Sequence, residues 1–203
     1  MALNQITRGQ VNQPTSSNPF SARGGQLGDT IVSELHGRYF EQTYNQNMFG
    51  IQGTAVTTTA GGNATFTGLA VGNPSTSGYY LVLNKVKVNQ VAALTAATTI
   101  GVMYGPGSIT ASLTTIANRY GGGRASVMTA TAGQTITAPT LWTLIGSSGS
   151  GAMTTPLLIP ALSIDFEGSI VIPPGYFIAS YTSAVSTTAL LFDFQWEEVP
   201  ILA

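Results

Sequence analysis

Few side chains in this sequence can do chemistry. The single histidine, His36, sits between Leu35 and Gly37. Nucleophilic triads need an imidazole to shuttle the proton, so any such centre would depend on His36, whose setting reads as structural or solvent-facing. Cysteine is absent, which leaves a zinc site short of its usual nitrogen and sulfur ligands and excludes disulfides. Carboxylates pair at Asp165/Glu167 and at Glu197-Glu198. If Ser163–Gly168 is extended, Asp165 and Glu167 share a face, the geometry of an acid and a base or of a hard-cation site. An i, i+2 acidic pair on the outer face of a strand is more simply solvated surface, and Glu197-Glu198 is read the same way. Gly121-Gly122-Gly123-Arg124 lacks the Lys and Ser/Thr that open a helix in a phosphate loop. The strand-like ASVMTA after it points to a hairpin turn. Asn63-Ala64-Thr65 fits a glycosylation sequon, a pattern too frequent by chance to carry weight. No cofactor or metal is expected.

The elements that would position these residues are strands. Beyond Phe49 the text is rich in Val, Ile, Thr, Tyr and Phe and is punctuated by GGN, NPSTSG, GPG, GGG, GSSGSG and PPG, the pattern of short strands joined by turns. The clearest alternation, Tyr80 to Asn89, puts Val82, Val86 and Val88 on one face and Lys85, Lys87 and Asn89 on the other. Other strands are expected at Gly53–Thr59, Thr65–Val71, Thr98–Tyr104, Ser126–Ala130, Leu141–Ile145, Leu157–Ile164, Gly168–Ile172, Tyr176–Thr182 and Ala189–Glu197. Phe192, Phe194 and Trp196 alternate with Asp193, Gln195 and Glu197, which sets the rings on one face as either a carbohydrate-stacking platform or core. Core is expected, because a solvent-facing aromatic ladder would invite aggregation. GSSGSG (Gly146–Gly151) reads as a mobile loop tip between strands. No period of 20–50 residues recurs, which argues against a solenoid or propeller. The expected fold is all-β, an antiparallel jelly-roll-like β-sandwich.

Charge is scarce. Lys, Arg, Asp and Glu make up 7% of the 203 residues, against roughly 25% in ordinary soluble domains. No charged side chain lies between Glu41 and Lys85, between Lys87 and Arg119, or between Arg124 and Asp165. A surface of small uncharged polar groups costs little to desolvate against another protein, whereas unpaired charges resist burial. The composition therefore suggests a subunit of a larger assembly. A net charge of −1 offers no phosphate-seeking surface, so nucleic acid is not an expected partner. The longest aliphatic run, Leu157-Leu158-Ile159, is far short of the roughly 20 residues a membrane helix needs, and MALNQITRGQ has no apolar signal-peptide core. No membrane association is expected.

Three regions follow. Residues 1–28 form an extended N-terminal arm too poor in apolar residues to offset its own ordering entropy. Arg8 and Arg23 stand there among neutral polar residues, Pro14 and Pro19 resist regular structure, and Phe20 and Leu27 are isolated apolar anchors. These six are the candidate contacts to a neighbouring subunit or another protein of an assembly. Residues 29–50 (DTIVSELHGRYFEQTYNQNMFG) read as a short helix or strand that docks the arm, with Gly37 disfavouring a helix. Residues 51–203 form the sandwich body.

The segments SELHGRYFEQTYNQNMFG, VGNPSTSGYYLVLNKVKV and DFEGSIVIPPGYFIASYTSAVSTTALLFDFQWEEVP resemble capsid decoration (cement) proteins of tailed bacteriophages. The resemblance spans most of residues 33–200 on scattered short motifs. GSIVIPPGYFIAS is also similar to late strands of viral jelly rolls. The resemblance implies a homotrimeric jelly-roll body bound to the major capsid protein on the outer surface of the virion, made in the host cytoplasm, bridging capsomers and carrying no catalytic residues. The alternative from the residues is a receptor- or glycan-binding module of a head or tail fibre, with NPSTSG and GSSGSG as contact loops. A hydrolase using Asp165 and Glu167 is the third reading.

Overall fold

The computed structural model describes residues 37–53, 66–110, 116–136, 139–149, 161–186 and 189–201. The chain divides between Phe40 and Glu41. Of the first part only residues 37–40 are described, a turn in which the Phe40 N–H donates to the Gly37 carbonyl (2.9 Å).

One helical turn, α1 (Phe40–Tyr44), starts three residues past Gly37. Two residues past its end, Gln46 has a φ of 61°, the left-handed conformation common just past a helix end. Both polar ends of Gln46 hold that conformation. Its carbonyl accepts from Asn118 Nδ2 (2.9 Å), and its Oε1 accepts from the Arg124 N–H (3.0 Å).

The other elements among the described residues are strands: β1 (Met48–Gln52), β2 (Phe66–Thr67), β3 (Ala70–Asn73), β4 (Tyr79–Gln90), β5 (Thr98–Pro106), β6 (Ala117–Asn118), β7 (Thr129–Thr131), β8 (Thr135–Ile136), β9 (Thr140–Ser148), β10 (Leu162–Ile172), β11 (Tyr176–Thr182) and β12 (Leu190–Pro200). They form two five-stranded antiparallel sheets, sheet 1 in the order β10-β4-β12-β1-β6 and sheet 2 in the order β7-β3-β11-β5-β9, with β2 and β8 paired separately. The sheets pack face to face as a β-sandwich, because the long strands alternate inward apolar side chains with outward ones except where bulges interrupt them. Sheet 1 brings Phe49, Leu81, Val86, Phe192, Phe194 and Trp196 to the core, and sheet 2 brings Val71, Ile100, Val102 and Ile178. The aromatic ladder is core, as its alternation implied: Phe192, Phe194 and Trp196 are all fully buried. Trp196 stacks on its cross-strand partner Phe49 with ring centroids 6.2 Å apart. Such pairs add to area burial by roughly 0.5–1.5 kcal/mol.

The β4 alternation differs from the sequence reading. Leu81 and Leu83 point inward, then Val86 and Val88 do, while Val82 lies on the outer side. The cause is a bulge at Asn84. Both neighbouring strands skip it, since Lys85 and Leu83 pair with Gln195 and Trp196 on β12 and with Asp165 and Ile170 on β10. One extra residue exchanges the faces of everything beyond it. Asn84 itself is buried, and its Nδ2 donates to Met48 Sδ (3.2 Å).

Other boundaries also move. The expected strands Leu157–Ile164 and Gly168–Ile172 join in the single strand β10, although residues 150–160 lie outside the described ones. Gly146–Ser148 of GSSGSG are strand residues of β9, not a loop tip. Gly121–Gly123 do not close a hairpin, because β6 before them pairs in sheet 1 and β7 after them in sheet 2. Within residues 29–50, Met48–Gly50 are the first residues of β1, which pairs with β12.

A second, smaller core lies on the outer face of sheet 2. Ala70, Met103, Phe177 and Ala179, which alternate with the inward residues, are buried with Ile109, just past β5, and Ile136 of β8. Close approach depends on Gly72, since an added Cβ there would lie 2.8 Å from Ile109 Cβ.

Candidate interaction surface

The paired carboxylates are the natural place to look for chemistry. Asp165 and Glu167 are both exposed, but they do not stand side by side on a regular strand. β10 loses register with β4 between Asp165 and Ile170, and Glu167 and Gly168 both take positive φ (52° and 79°). The Asp165 carboxylate accepts from the Glu167 backbone N–H (3.0 Å) and lies 3.7 Å from Lys85 Nζ. Its oxygens are thus committed to a local turn and a surface ion pair, which is worth less than about 1 kcal/mol.

Glu198 is where the sequence reading of solvated acids fails. As the last inward residue of β12 it is fully buried. Oε2 accepts from Arg124 Nη1 (2.7 Å), and Oε1 accepts from the Ser126 hydroxyl and the Val127 N–H (3.2 Å). The guanidinium also donates to Asn47 Oδ1 (3.2 Å) and lies 4.8 Å from the centroid of Phe49 and 5.2 Å from that of Tyr79. With both oxygens engaged, Glu198 is a clasp between β12 and the β6–β7 connection. A signal was available: Arg124 is followed by no other charge until Asp165, and a cation packed in a neutral body must find an anion. Its neighbour Glu197 points outward and is only half-buried, which raises its pKa through desolvation.

The NPSTSG turn is pinned. Asn73 is buried, its Nδ2 donates to the carbonyls of Tyr79 (2.7 Å) and Ile172 (3.0 Å), and its Oδ1 accepts from the Ser77 hydroxyl. His36, Asn63 and the arm residues Arg8, Pro14, Pro19, Phe20, Arg23 and Leu27 lie outside the described residues.

Charge is segregated between the sheets. Lys85, Lys87, Asp165, Glu167, Asp193, Glu197 and Glu198 all belong to sheet 1, and Arg119 and Arg124 lie in the β6–β7 connection. The strands of sheet 2 contain no Lys, Arg, Asp or Glu. The two neighbouring edges differ accordingly. β10, the edge of sheet 1, has a bulge and carries Asp165 and Glu167, features that discourage pairing with another chain. β9, the edge of sheet 2, pairs among the described residues only with β5 and exposes Leu141 (38%), Trp142 (40%) and Leu144 (53%).

Bulges arrange these side chains. Leu141 pairs with Met103 and Leu144 with Gly101; one register shift, between these pairs, leaves Trp142 unpaired, and a second, beyond Leu144, leaves Ile145 unpaired. Leu141 and Leu144, at an odd spacing, therefore share the outer face with Met103. The Trp142 ring turns onto Tyr104, 4.5 Å between centroids. The result is an uncharged apolar flank on a sheet without ionic groups, the composition expected where a partner packs. The sequence showed the absence of charge from 125 to 164 but not that it would gather on one sheet.

Compared with models of protein families, with curated proteins and with solved structures, the chain matches none.

Proposed function

We propose that this chain is a non-enzymatic structural subunit of a virion, of the capsid-decoration type. In this reading it binds the outer surface of a capsid as a homotrimer, contacts the major capsid protein and stabilises the junctions between capsomers. The observation that carries the reading is the charge-free sheet 2 with its exposed apolar edge, a surface suited to lasting protein contact. Strand order supports it as well. Leaving out the short β6 and β7, the sheets run β1-β12-β4-β10 and β3-β11-β5-β9, the arrangement that two interlocked Greek keys give to a jelly roll. The engaged state of Glu198 and the local turn at Asp165 also favour a structural role over acid–base catalysis.

The test is co-sedimentation with empty capsids. Retention in the capsid pellet, together with a higher temperature of capsid disruption, is expected. Failure to pellet, combined with retention on a glycan array, would contradict the reading and favour the fibre-module alternative.

A further inference from the structure

We infer that the β9 flank is the surface through which copies of this chain associate, and that its occupant is the N-terminal arm of a second copy. The flank carries the largest apolar exposure on β9, Leu144, beside Leu141 and Trp142. Its strand, TLWTLIGSS, has no charge to repel an incoming chain. The arm matches it in chemistry: residues 1–28 hold two arginines among neutral polar residues, with Phe20 and Leu27 available to cover Leu141 and Leu144. It also has reach, since the 28 residues span up to about 90 Å when extended.

Topology argues for a second copy over the arm's own body. The chain that follows the arm enters sheet 1 at β1, which β12 and β4 separate from β10. β9 stands on the β10 flank, where Leu162 packs so near Gly146 that an added Cβ would meet its Cδ1 at 2.9 Å. The strand at which the described chain enters sheet 1, β1, and the apolar edge thus lie on opposite flanks of the sandwich. Copies set flank to flank place the β1 flank of one beside the β9 edge of the next, a head-to-tail contact that closes into a ring when the rotation between copies divides a full turn. This inference rests on the reading of the chain as an assembly subunit. Its readouts need no capsid, so its failure and the failure of capsid attachment are told apart.

Trp142 supplies the probe. The chain has two tryptophans, and Trp196 is fully buried, so acrylamide quenching of the fluorescence reports on Trp142. The experiment compares the full chain with L141K/L144K and with F20S/L27S by light scattering and quenching, with circular dichroism to establish that each is folded. Leu141 and Leu144 are exposed, so their replacement leaves the core intact. The expected result is a multimer with shielded Trp142 for the full chain, and monomers with readily quenched Trp142 for both variants. A multimer that survives F20S/L27S with Trp142 still shielded would overturn the assignment of the arm. A full chain that is monomeric yet loses Trp142 shielding in F20S/L27S would place the arm on its own body and overturn the second copy.

Discussion

At the scale of residues, two adjacent acids on one strand have opposite surroundings, and each gives a measurable consequence. Glu198 is buried against Arg124. Removing one partner of such a pair leaves an uncompensated charge, whereas replacing both with apolar residues is often neutral. Arg124→Ala is therefore expected to cost about 3 kcal/mol in chemical denaturation, and R124M/E198L to recover most of that loss. A loss under about 0.5 kcal/mol for Arg124→Ala would show that the clasp is idle. Glu197 is half-buried and forms no ion pair among the described residues, and desolvation raises its pKa. In the range between its unfolded and raised folded pKa the native state binds more protons, so its contribution to stability falls as pH rises through that range. Glu197→Gln should thus raise the melting temperature near neutral pH and have a smaller effect below about pH 4. A melting temperature lowered near neutral pH would contradict this.

At the scale of elements, alternation made most strands legible. β11 falls where the sequence placed it, and β12 buries the predicted rings. What composition did not disclose were the bulges, because a bulge arises from the pairing of distant strands and leaves no local trace. Asn84 exchanges the faces of β4, and the extra residues of β9 bring Leu141 and Leu144 to one face. The β4 bulge predicts unequal costs for one substitution at two positions of the same parity. Val86 is fully buried and Val82 is not. Val86→Ala should cost about 2 kcal/mol and Val82→Ala less than about 1 kcal/mol, both read from denaturation midpoints. Equal costs would mean an unbroken alternation. The turn at Gly121–Gly123 was misread for a related reason, since adjacency in sequence does not reveal that flanking strands belong to different sheets.

At the scale of the molecule, the low charge of the chain becomes an asymmetry, with ionic groups on sheet 1 and none on the strands of sheet 2. The scarcity was plain in the sequence. Its concentration on one side of the sandwich was not, because the charged strands β4, β10 and β12 are scattered among uncharged ones along the chain and are brought together only by the pairing of sheet 1. Under the proposed reading, a neutral sheet ending in an apolar edge serves protein contact, and self-association is the first outcome to expect. The direct measurement is the mass of the full chain by light scattering at micromolar concentration. A stable species of about three times the 21.0 kDa of one chain is expected. A stable mass near 21.0 kDa at every concentration tested would contradict it.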